Sequence, residues 1–230
     1  MQMKTLFRAS ALISLISPLA GYAAPEAQTD YFQRISFHAP STPGFRTASI
    51  LSAGFTGAIV TMSSNHEALN LNDVVFSFNH SWLKIDPHHE GRVTLRMVRQ
   101  PLAHERAGTL TLHNRKSGNS QRYDFTVSTW LMGDGAVDDN FVQARERCAR
   151  QGGRLLTTRE LRDVSRKWFG FSKGNLRTMY PQATLFNAQA RAGGSFWVHE
   201  AKALYLHTGV KSPERGINTI CRYEYENSAI

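Results

Sequence analysis

Residues 138–164 read DDNFVQARERCARQGGRLLTTRELRDV, and residues 217–224 read INTICRYE. The first stretch predicts two successive helices. Asp138 or Asp139 is placed to cap the first, in which Phe141, Ala144, Cys148 and Ala149 recur at helical spacing and Gly152-Gly153 makes the stop. Leu155-Leu156 then turns into the core. Thr157-Thr158-Arg159-Glu160 has the form of a capping box, with Leu161, Val164 and Trp168 as the apolar stripe of the second helix and Gly170 as its end. The second stretch predicts a closing strand over 217–223. Cys148 and Cys221 are the only cysteines, and a bridge between them closes a loop of 73 residues (221 − 148). Such a loop contributes about 4 kcal/mol in the chain-entropy account, a large share of the stability of a module with a small core.

Between these stretches, residues 171–192 read as loops with one short element. SFWVHE (195–200) and ALYLHT (203–208) read as a strand pair, and 211–216 as a loop. The module is therefore α+β, with the bridge tying its first helix to its last strand.

Ahead of it, residues 24–129 show almost no helical period. Short alternating runs recur between turn signals: 31–37, 54–62, 74–78, 82–86, 91–98, 108–112 and 122–127. In the fifth run Val93, Leu95 and Met97 share one face. Six or seven short strands over about a hundred residues predict a β-sandwich of immunoglobulin type. It has no internal cysteine pair, so Trp82 and its apolar neighbours must form its core. Gly133-Asp134-Gly135 breaks the last run, and the boundary between halves is placed there, giving a sandwich over 24–132 and the α+β module over 133–230.

Residues 1–23 read as a secretory signal: Lys4 and Arg8, an apolar run, then Gly21-Tyr22-Ala23 ahead of the cut. The run is too short to span a bilayer, and no later segment approaches 18 apolar residues, so no membrane span is expected. An exported chain with two cysteines is expected to oxidise them.

The formal charge is +9, or +7 once Lys4 and Arg8 leave with the signal. Residues 141–177 hold ten basic side chains against Glu146, Glu160 and Asp163, so that window alone carries the +7. Such a face attracts acidic proteins, anionic glycans or lipid headgroups, or nucleic acid, or simply keeps a helix solvated. The candidate binding residues are Arg159, Arg162, Arg166, Phe171, Lys173, Arg177 and Tyr180, since arginine and aromatic side chains dominate binding hot spots. The competing reading of Phe171, Tyr180 and Phe186 is core filling. No nucleophile elbow, HExxH or P-loop is present, and no catalytic residue, cofactor or metal ligand is assigned. His88-His89-Glu90 reads as a polar turn, and His199, Glu200 and His207 as strand-surface residues.

A cysteine late in a first helix, then GGRL, TTREL, FWV and a closing ICRYE, resembles a C-type lectin-like domain. The preceding FSFNHSWLKIDPHHEGRVTL and RYDFTVSTW resemble a bacterial immunoglobulin-like domain. In tandem they are similar to the C-terminal end of the invasin and intimin adhesins of Gram-negative bacteria, over essentially all of the mature chain. Those adhesins carry an outer-membrane barrel for which 230 residues leave no room. The chain resembles instead a passenger exported by a separate barrel, as in the zinc-regulated antivirulence secretion system. The resemblance implies a non-enzymatic adhesion or virulence-related protein, secreted or held at the cell surface after passing the periplasm. Its implied partner is a protein: a host receptor, an invasin-like outer-membrane barrel or a co-secreted subunit. Nucleic acid is not expected. The sugar-binding tripeptide and the Trp-Asn-Asp motif of calcium-dependent lectins are missing, Ser212-Pro213-Glu214-Arg215 standing near the first, so a calcium-free module is expected. An anionic-glycan lectin and a periplasmic hydrolase are the alternative functions.

Overall fold

The computed structural model describes residues 31–40, 47–66, 69–87, 92–138, 140–169, 176–186, 195–205 and 217–225. The predicted signal lies outside them. The described chain is mostly β-sheet with few helices and carries one disulfide, Cys148–Cys221. Its strands in the first half are β1 (Ile35–His38), β2 (Ala53–Gly54), β3 (Ile59–Ser64), β4 (Val74–Phe78), β5 (Leu83–Pro87), β6 (Arg92–Met97), β7 (Ala107–Asn114) and β8 (Ser120–Thr126). There follow β9 (Thr129–Met132), β10 (Val137–Asp138), helix α1 (Phe141–Arg150), β11 (Gly153–Leu155) and helix α2 (Thr158–Val164). The short helix α3 (Leu176–Met179) precedes β12 (Ser195–Val198), β13 (Lys202–Tyr205), β14 (Ile217–Asn218) and β15 (Cys221–Tyr223).

Two antiparallel sheets build the first half, in the orders β1-β3-β6-β5 and β4-β7-β8. Their alternation is legible in β6, where Val93, Leu95 and Met97 are buried and the residues between them are not. The sheets meet through Phe37 on β1, edge-on to Tyr123 on β8, and through Trp82, which packs on Phe78 and Phe125. Trp82 is fully buried and its indole N–H donates to the Glu105 carbonyl at 3.0 Å, so the core tryptophan leaves no unpaired donor. Strand does not begin at residue 31 as the alternation predicts. Tyr31–Arg34 forms a 3₁₀ turn: the ladder with β3 ends at Ile35 opposite Ser64, and past it only the Asn65 N–H reaches back, to the Arg34 carbonyl at 3.2 Å.

The second half holds the other two sheets, β10-β14-β12-β13 and β11-β15-β9-β2. The predicted closing strand is broken. Ile217–Asn218 pairs with β10 and β12, whereas Cys221–Tyr223 pairs with β9 and β11. Between them Thr219 and Ile220 are buried, which aims the chain from one sheet to the next.

The boundary expected at residues 133–135 falls just after β9, which pairs with β15 from the far end of the chain. β2, from the first half, runs parallel to β9 and completes the sheet that holds β15. One continuous core contains Val60, Trp82 and Leu110 together with Leu161, Trp168 and Phe196. Phe55 is the joint: its ring lies 5.1 Å from Tyr180, 5.6 Å from Trp168, 5.6 Å from Phe186 and 6.1 Å from Phe169. Polar contacts ring it. The Trp168 indole donates to the Ala53 carbonyl, Lys167 to the Ser52 hydroxyl, and Arg96 to Gln182. At Gly57, where φ is +88°, a Cβ would stand 2.6 Å from the backbone between Gln182 and Ala183, so only glycine permits this approach.

Candidate binding surface

Helix α1 is capped by Asn140, whose side chain accepts the Gln143 N–H at 3.0 Å. Asp138, an expected cap, is used elsewhere. It sits in β10 almost fully buried, and Arg147 grips it through Nε at 2.9 Å and Nη2 at 3.0 Å while the Thr219 hydroxyl donates to its other side. Its backbone carbonyl takes the Trp197 indole N–H. With both oxygens engaged it has none to offer a helix; Asp139 lies outside the described residues. Burial pushes the Asp138 carboxyl up, but the bonds from Arg147 and Thr219 outweigh it and leave it below the usual carboxylate range. The helix stops at Arg150, and Gly152, with φ +75°, turns the chain away just past it, as the sequence predicts.

The predicted capping box of α2 forms. Thr157 Oγ1 accepts the Glu160 N–H at 3.3 Å, and the Glu160 carboxylate accepts the Thr157 N–H at 2.8 Å. Glu160 also holds Arg154 at 2.8 Å and Arg222 from β15, and Arg154 reaches on to Glu224 at 2.9 Å. Leu161, Val164 and Trp168 are buried, and a π-helical turn, Ser165–Phe169, carries the same face onward. The opposite stripe, at i, i+3 and i+7, is Arg159, Arg162 and Arg166, all exposed.

The disulfide stands behind these helices. Cys148 and Cys221 are fully buried with Ala144 and Leu155, and Phe141, Met132 and Trp197 close around them. The bridge joins α1 to β15, the pairing the sequence leads one to expect.

The charge of the face is lower than the count over 141–177 suggests. Arg147 is paired by Asp134 and Asp138, and Arg154 by Glu224, all three carboxylates lying outside that window. Arg166 and Lys167 share Asp163 at 2.8 and 2.7 Å. Arg150 and Arg159 are exposed and make no ion pair among the described residues, while Arg145 lies 5.9 Å above the Phe141 ring. The run DGAVDD just ahead of an arginine-bearing helix was the available sequence signal for the partners of Arg147.

Among the remaining candidates, Tyr180 is no surface residue. It is fully buried, its hydroxyl donates to the Trp168 carbonyl, and burial pushes its pKa far up. Phe186 is core as well. Arg177 is exposed, but its guanidinium also donates to the Ala183 carbonyl at 2.8 Å and the Phe186 carbonyl at 3.3 Å, bracing the chain after α3. Phe171 and Lys173 lie outside the described residues, as do His88, His89, Glu90, His207 and residues 211–216. Among the described residues no three His, Cys, Asp or Glu side chains gather as a metal site would require. Glu200 is occupied, accepting the Thr158 N–H at 3.0 Å.

Comparison with protein-family models gives no match. Comparison with curated proteins gives none either.

Proposed function

We propose that the chain is a protein-binding protein of invasin and intimin type, exported from a Gram-negative cell, that engages its partner through the second half. The observation that carries this is the α2 stripe. Arg159 and Arg162 on α2, and Arg166 in the turn that continues it and paired with Asp163, are exposed on the side opposite the one fixed in the shared core. Charge held on a rigid element is steered and oriented at little entropic cost, which suits recognition of an acidic protein surface.

Two features support the family reading. Lettering β1, β3, β4, β5, β6, β7 and β8 as A to G turns the two sheets into A-B-E-D and C-F-G, the strand order of an immunoglobulin constant-type domain. In the second half, a bridge from the first helix to the last strand, with β15 antiparallel to β9 just ahead of the module, supports the lectin-like reading. The partner is then an invasin-like barrel, a co-secreted subunit or a host receptor.

The test has two parts. Oxidised protein is immobilised and offered outer-membrane extract of the source cells, and separately host-cell membrane extract. The triple variant Arg159→Glu, Arg162→Glu, Arg166→Glu is run beside it. The captured protein should bind the variant on the order of tenfold or more weakly and with a shallower dependence on salt. Unchanged affinity and salt slope would remove the stripe from the interface. Capture of glycan-bearing material that sugar alone competes away would favour the lectin.

A further inference from the structure

Among the described residues, strand β8 closes the second sheet, with β7 on one side. Which of its backbone groups face outward follows from three hydrogen bonds. Val127 N–H donates to the Arg106 carbonyl and Asn114 N–H to the Asn119 carbonyl, both at 2.9 Å, so the odd-numbered residues of β8 bond to β7. The even-numbered ones, Ser120, Arg122, Asp124 and Thr126, turn their N–H and C=O groups away from it. Ser128 keeps the alternation: its N–H turns outward and donates to the Ser52 carbonyl at 2.8 Å. The 3₁₀ turn Ala48–Ser52 thus packs along the C-terminal part of β8. Further back, the Arg122 carbonyl takes the side-chain amide of Gln121 at 2.8 Å, an exposed bond that a neighbouring strand can replace.

Arg122 and Asp124 project from the same solvent face, 67% and 70% exposed and 3.7 Å apart. An outward-facing arginine and aspartate two residues apart make an edge complementary to itself. A two-fold axis through Tyr123 sets Arg122 opposite Asp124 of a second copy, and Asp124 opposite its Arg122. In that register the paired residues are the outward-facing ones, so main-chain bonds and ion pairs form together. Sliding by one pair in either direction puts Arg122 against Arg122 or Asp124 against Asp124. The charges therefore select one register among those the hydrogen bonds allow.

We propose that β8 is a homodimerisation edge, joining two copies in a continuous sheet of order β4-β7-β8-β8-β7-β4. The contact is small, so the dimer is weak and reversible in free solution. It gains strength when both copies hold one surface, because it presents two partner-binding modules at once.

Sedimentation velocity on the full oxidised chain, over a concentration series reaching the millimolar range, tests this. The native chain is expected to move toward dimer as concentration rises. Arg122→Asp makes the edge wholly acidic and Asp124→Arg makes it wholly basic, and each variant alone should stay monomeric. An equimolar mixture should recover the dimer, since the acidic edge of one fits the basic edge of the other. Recovery on mixing requires both variants to be folded. A native chain that stays monomeric throughout overturns the proposal. So do single variants that dimerise as the native chain does, and a mixture that does not recover.

Discussion

Glu160 performs three tasks with one carboxylate: it completes the cap of α2, holds Arg154 on β11 and holds Arg222 on β15. Burial alone would raise its pKa. The bonds from Arg154 and the Thr157 N–H, with the charge of Arg222, outweigh burial and hold the group at about 2. A carboxyl with a depressed folded pKa contributes its stabilisation fully above its unfolded value. That contribution is lost as pH falls from about 4.5 toward about 2. Glu160→Gln keeps the shape and removes the charge. At pH 7 it is expected to cost roughly 2–3 kcal/mol, leaving two arginines short of a partner. The gap between the variant and the native chain should narrow as pH falls below about 4.5 and close only near pH 2. Urea titrations at several pH values read both effects, and a difference that does not shrink with acid would show that Glu160 acts by packing rather than by charge.

The same balance of burial and pairing decides what the elements reveal in advance. Helix α2 was legible because its start and its buried face are set locally, by a capping box and an i, i+3, i+7 apolar stripe. The alternation of β6 was legible for the same reason. The break in the closing strand was not, since it depends on Thr219 reaching Asp138, 81 positions away in sequence. Nor was the burial of Tyr180, which depends on Phe55 arriving from the other half. Arg159 and Arg162 on α2, and Arg166 just after it, are exposed as their spacing predicts, but the charge balance of 141–177 was not legible, because the carboxylates opposing Arg147 on α1 and Arg154 on β11 come from β10 and from beyond β15. Phe55 tests how far the elements depend on one another. Phe55→Ala empties the centre of an aromatic cluster and is expected to cost about 3–5 kcal/mol. The loss should appear equally in a probe of the first half, such as Trp82 fluorescence with Trp130, Trp168 and Trp197 replaced by Phe, and in near-ultraviolet dichroism of the cluster. Unfolding of the aromatic cluster with the first half left intact would mean that the two halves are energetically independent.

At the scale of the molecule, a shared sheet and a shared core make the second half a borrower. Its bridge shortens the unfolded chain's loop by a stretch of 73 residues, worth about 4 kcal/mol. Yet the bridge acts only on the unfolded ensemble and supplies none of the buried surface that Phe55 and β2 bring. Residues 129–230, expressed alone with the disulfide formed, keep β9, β11 and β15 but lose the strand beside β9 and the ring that fills the cluster of Trp168, Phe169, Tyr180 and Phe186. Burying a phenylalanine is worth roughly 1.5–3 kcal/mol before any cavity is counted. The piece also leaves the Trp168 and Lys167 donors without Ala53 and Ser52. Those losses match or exceed what the bridge contributes. The fragment should therefore show secondary structure by far-ultraviolet dichroism but weak near-ultraviolet signal and no sharp thermal transition, while the full chain melts in one step. A fragment that melts cooperatively with native near-ultraviolet dichroism would show that the disulfide alone suffices. The basic stripe would then sit on a module free to move against its sandwich, rather than on one rigid body with it.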